Sequence, residues 1–126
     1  MTKQTELQAV LPSDHTFRRL MQLVGPATQG ELLARLVEDL QAVEQGLALA
    51  LAQMDWQEIR GQSHVLVALA GAVGATPLQM LAEALNRAAH AQQAAALPDL
   101  GSTALPMIAT LIGYVAGQQT PPDQIP

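Results

Sequence analysis

One residue in this chain is placed to do chemistry, and it is His64. With Ile59 set at zero and an advance of about 100° per residue, Ile59, Ser63, Leu66, Ala70 and Val73 fall in one sector of a helix, while His64 lies at roughly 140°, facing outward. Its neighbours on that outer face are Arg60 one turn earlier, Val67 and Ala68 one turn later, and Gly71 two turns later. A solvated helix face normally carries Lys, Glu and Gln, whereas this one is small and apolar. An imidazole is nucleophilic when neutral, so an exposed histidine can take up a phosphoryl group and give it back. Small residues around the ring leave room for another protein's active site, and an apolar rim supplies docking area.

The rest of the sequence must supply a rigid support for that helix. Among 126 residues stand 22 Ala and 20 Leu against three aromatics, a profile of helix formers that predicts an all-α chain. Its length fits one domain with one core. Pro12-Ser13-Asp14 offers an N-cap for a short accessory helix over 13–25 carrying Phe17, Leu20, Met21 and Val24, stopped at Gly25-Pro26. From about Thr28 to Met54 the apolar residues Leu33, Leu36, Leu40, Val43, Leu47, Leu51 and Met54 recur three and four apart, the stripe of a long core helix. Glu31/Arg35 and Arg35/Asp39 are spaced as ion pairs on its wet side.

Asp55, three residues before Glu58, forms the start of the His64 helix, which Gly74 ends. Thr76 before Pro77 reads as the N-cap of the next helix, with Leu78, Leu81, Leu85 and Ala88 as its stripe. The stretch 94–102, containing Pro98, Asp99 and Gly101, is expected to be a loop, and a last helix carries Leu105, Ile108, Leu111, Ile112 and Val115 with Pro106 in its first turn. Four amphipathic helices joined mostly by tight turns predict an antiparallel, up-down-up-down four-helix bundle over 28–118 with the extra N-terminal helix, one domain over 13–118 between flexible tails at 1–12 and 119–126.

Charge and composition exclude several classes. Six Lys and Arg against eleven Asp and Glu give a net charge of −5, with no basic footprint for nucleic acid. The absence of cysteine removes disulfides, thiolate zinc sites and cysteine nucleophiles and fits a cytoplasmic location. The largely apolar runs 65–75 and 104–117 fall short of the 18 or so residues a membrane helix needs, and residues 1–12 lack the basic start and apolar stretch of a signal peptide. No membrane partner is expected. His15 and His90 have no metal-ligand partners at usable spacing and read as ordinary surface residues. Gly71 and Gly74 follow no strand, which points to close helix packing rather than a phosphate loop. Trp56 reads as a packing residue, and Met21, Met54, Met80 and Met107 as fillers of the core.

Asp55-Trp56, Ile59-Arg60, Ser63-His64-Val65-Leu66, then Ala70-Gly71-Ala72-Val73-Gly74-Ala75 and Leu78 resemble the signature of histidine-containing phosphotransfer (HPt) domains. In that family the pattern is roughly Asp, a spacer, His-x-Leu-Lys-Gly, small residues, and Gly-Ala before a Leu. The resemblance covers about Thr28 to Gln118 and implies a four-helix bundle in which His64 is the phosphoryl acceptor of a two-component phosphorelay. It implies partners, namely response-regulator receiver domains and a hybrid sensor kinase, and no cofactor of its own, with Mg²⁺ held by the partner receiver. One departure stands out: Val67 and Ala68 occupy the positions where the family usually has Lys and Gly. The cations nearest in the reading are Arg60, one turn from His64, and Arg87, at the same bundle level across the tight turn at Ala75 and Thr76. Arg87 has Glu83 at ion-pair spacing, and a pair between them is expected in preference to a role at His64. The departure leaves a second function open, a degenerate bundle that docks a receiver or kinase without accepting phosphate. A third is a structural oligomerisation domain that buries the face around His64 against a second copy.

Overall fold

A computed structural model describes residues 14–119, and among them every regular element is helical. The tails expected at 1–12 and 119–126, Gln119 apart, lie outside the described residues, as do the cap at Pro12-Ser13 and the side chain of His15. The elements are α1 (Asp14–Val24), α2 (Pro26–Gln53), α3 (Trp56–Val73), α4 (Thr76–His90), a 3₁₀ turn (Ala94–Ala96) and α5 (Leu97–Gly117). Helix α2 packs on α3 and α5, and α4 packs on α3 and α5, so the four long helices close a ring around a shared core. Helix α1 lies against α2 and α3, with Phe17 edge-on to Tyr114 at 5.7 Å. The result is a helical bundle.

The core is aliphatic because the sequence offers little else. Leu40, Leu47, Ile59, Leu66, Leu78, Leu85, Ile108 and Leu111 are its largest fully buried members, one pair from each long helix. Burial of each contributes about 2 kcal/mol of hydrophobic stabilisation. On α3 the buried residues are Ile59, Ser63, Leu66, Ala70 and Val73, the sector drawn from its helical period. On α2 the expected stripe holds through Leu47 and then drifts: Ala50 is buried, Leu51 is half-buried, and Met54 is 42% exposed. Met80 is 63% exposed as well, so neither of these methionines fills the core.

The turns between the long helices share one device. Each turn contains one residue with positive φ, Met54 (φ 52°) or Gly74 (φ 77°) at the helix C-cap, or Gln92 (φ 53°) one residue beyond it. The next amide then donates back to the carbonyl five residues earlier: Asp55 to Ala50 at 3.0 Å, Ala75 to Ala70 at 2.8 Å, and Gln93 to Ala88 at 2.8 Å. Only at Gly74 is the residue suited to that conformation. Met54 and Gln92 are exposed and carry the conformational cost without a packing gain. Met54→Gly is therefore expected to raise stability by about 0.5 kcal/mol, read as a higher urea midpoint with an unchanged slope.

Four expectations are corrected here. Helix α5 starts at Leu97 rather than after Ser102, because Pro98 occupies its first turn, Asp99 is the first-turn acid, and Gly101 is buried where a Cβ would stand 2.8 Å from Leu51 Cδ1. Pro106 consequently sits inside the helix rather than in its first turn, on an exposed position, where it removes the amide that would donate to the Ser102 carbonyl. The longer helix also makes Ala94–Gly117, 24 residues, long and apolar enough by length and composition to cross a membrane, although Leu97, Ala104, Ile108, Leu111 and Val115 from it are buried in the bundle. Finally, the N-cap of α4 is Ala75, without a side-chain cap, and Thr76 is the first helical residue. Of the ion pairs expected on α2, Arg35–Asp39 forms at 3.2 Å, and Glu31 has no place in it.

Candidate functional site

Helix α3 is held at both ends by features that its sequence encodes. Asp55 Oδ1 accepts from the Glu58 backbone N–H at 3.1 Å, which caps the first turn. Gly74 closes the last turn, and a Cβ there would stand 2.6 Å from Thr16 Cβ, so α1 packs directly on the α3–α4 turn. Gly71 lies against α4, where an added Cβ would meet Gln79 Nε2 at 2.7 Å. The glycine pair thus serves close helix packing.

His64 stands in the middle of α3, exposed, beside exposed Gly61, Val65 and Ala68. It is shared by two shallow recesses between α3 and α4. One is lined by His64, Val67, Glu83, Asn86 and Arg87. The other is lined by Gln57, Arg60, Gly61, His64, Asn86 and His90. Arg60 and Arg87 therefore each line one of the two recesses that His64 shares, one from its own helix and one from the neighbour. The pairing of Arg87 with Glu83 does not form, since the one ion pair among the described residues is Arg35–Asp39. Val67 is half-buried and lines the Arg87 side, whereas Ala68 and Gly71 line neither recess.

Of the lining residues that the sequence reading did not place at the site, His90 and Asn86 contribute most to its make-up. His90, read as an ordinary surface residue, lines the Arg60 recess from the last turn of α4. Asn86 is the second and forms the wall common to both recesses. Its Nδ2 donates to the Arg60 carbonyl at 3.1 Å and to Ser63 Oγ at 3.3 Å, while Ser63 Oγ donates to the same carbonyl at 3.1 Å. In an α-helix that carbonyl also receives the amide of His64, four residues on. Ser63 is the buried polar side chain among the described residues, and this arrangement satisfies it. The polar knot fixes the turn carrying His64 against α4. Asn86→Ala is expected to cost about 1 kcal/mol in urea unfolding and to speed amide exchange at His64 relative to the far end of α3.

Chemically, the arrangement presents the exposed imidazole of His64, a second imidazole at His90 and two arginines lining the recesses. Among the described residues no cluster of three or more His, Cys, Asp or Glu side chains is placed to hold a metal ion. Comparisons with protein-family models, with curated proteins and with solved structures find no match to this chain.

Proposed function

We propose that the chain is a histidine-containing phosphotransfer protein, an up-down-up-down four-helix bundle with an accessory N-terminal helix that relays a phosphoryl group between receiver-domain aspartates in the cytoplasm. The observation that carries the reading is the setting of His64: an exposed imidazole at mid-helix, with small neighbours and with Arg60 and Arg87 each lining one of the two recesses it shares. A ring nitrogen attacks the phosphorus of the receiver's aspartyl phosphate. The P–O bond breaks, the carboxylate leaves with the electron pair, and the proton on the other ring nitrogen passes to solvent. The reverse step at a second receiver returns the phosphoryl group to a carboxylate. Mg²⁺ and the groups that activate the aspartyl phosphate belong to the receiver, so this protein contributes the nucleophile, its exposure and nearby positive charge.

The two arginines answer the missing charge at Val67. Phosphoryl transfer depends on neutralising charge spread over three oxygens, and Arg87 lines the recess that Val67 shares with His64, while Arg60 lines the adjoining one. The test is incubation with a panel of phosphorylated receiver domains and Mg²⁺, followed by addition of an unphosphorylated receiver. Acid-labile label on the protein, chased onto the second receiver, is expected. Binding to a receiver with no label from any donor would replace this reading with that of a docking module.

A further inference from the structure

We propose that Glu83 and Arg87, one turn apart on α4, set in opposite senses how strongly His64 holds its phosphoryl group. The inference rests on His64 being the phosphoryl acceptor. Both residues line the same recess as His64, and both are exposed. They stand four residues apart, a spacing at which Glu and Arg usually neutralise one another on a helix. Here they form no ion pair. The recess therefore offers a phosphoryl group a separate cation and a separate anion, with Val67 contributing area but no charge.

A phosphoryl group on His64 carries up to two negative charges. Arg87 favours the doubly charged form, and Glu83 disfavours it. Alone, the guanidinium would hold the group and slow its release to the next receiver. The carboxylate offsets that hold, which suits a carrier that must give as readily as it takes. Arg60, from the adjoining recess, adds positive charge that is common to every variant of the α4 pair, and His90 lines that recess with it.

The experiment uses the full chain phosphorylated by phosphoramidate, whose P–N bond breaks as ammonia leaves and the imidazole nitrogen bonds to phosphorus. The protonation midpoint of the bound phosphoryl group is then read by ³¹P NMR titration. Arg87→Gln is expected to raise that midpoint and Glu83→Gln to lower it, each by roughly 0.2–0.7 pH unit at low salt, with the double variant near wild type. Higher ionic strength should shrink both shifts. The partition of phosphoryl between a receiver and His64 should move in step, away from His64 in Arg87→Gln and toward it in Glu83→Gln. Shifts that are absent, or of the same sign in both variants, would overturn the proposal while leaving His64 as acceptor. Equal loading of wild type and His64→Gln, with no signal lost in the variant, would instead remove the acceptor reading and this inference with it.

Discussion

His64→Gln is expected to reduce phosphoryl uptake from a phosphorylated receiver to background while leaving helicity and the melting temperature unchanged. The two halves of that expectation have separate origins. His64 is exposed and does not figure among the core residues, so glutamine, a good helix former of similar reach, disturbs neither packing nor backbone. The amide lacks a nucleophilic nitrogen, so no N–P bond can form. Asn86, Ser63 and the Arg60 carbonyl keep their hydrogen bonds, because none of these bonds uses the imidazole. A variant that melts like wild type yet retains label would take His64 out of the mechanism.

Leu66→Ala is expected to have the largest effect on stability. Leu66 is fully buried two residues beyond His64, on the opposite side of α3. It belongs to a core made almost entirely of leucine, valine, isoleucine and alanine, in which Phe17 is the one buried aromatic side chain and is paired with Tyr114. Truncation should cost about 3 kcal/mol, the transfer free energy of the lost atoms plus the cavity they leave. For a domain of this size that lowers the melting temperature on the order of 15 °C. Thermal melting followed by circular dichroism checks it. A loss below about 1 kcal/mol would mean that the bundle collapses into the cavity and that its core is less specifically packed than the burial of Leu66 implies.

Much of the bundle was legible because its signals are local. The helical period placed Ile59, Ser63, Leu66, Ala70 and Val73 on the inner side of α3, and they are its buried residues. Asp55 and Gly74 announced the ends of that helix through capping chemistry that needs only a few neighbouring residues. Counting residues from the tight turn put Arg87 level with His64, and the two share a recess. What stayed hidden depends on contacts between helices. Gly101 looks like a loop residue until Leu51 is seen to need its missing Cβ. Asn86 looks like one more polar residue on α4 until its amide is found on the Arg60 carbonyl and Ser63 of α3. His90 has no partner within its own helix and comes to His64 only because α3 and α4 pack closely, with Gly71 under Gln79. Left-handed Met54 and Gln92 carry no sequence signal, since neither residue type favours that conformation.

The central claim is that the phosphoryl group resides on His64. The direct measurement is mass-spectrometric location of the modification after incubation with a phosphorylated receiver domain and Mg²⁺, under neutral to alkaline handling that preserves N–P bonds. The chain holds three histidines, and the account predicts one added phosphoryl mass confined to His64, absent from His15 and His90 and absent from the His64→Gln protein. Modification at His90 or at another residue, or an unmodified chain recovered in complex with the receiver, would contradict it.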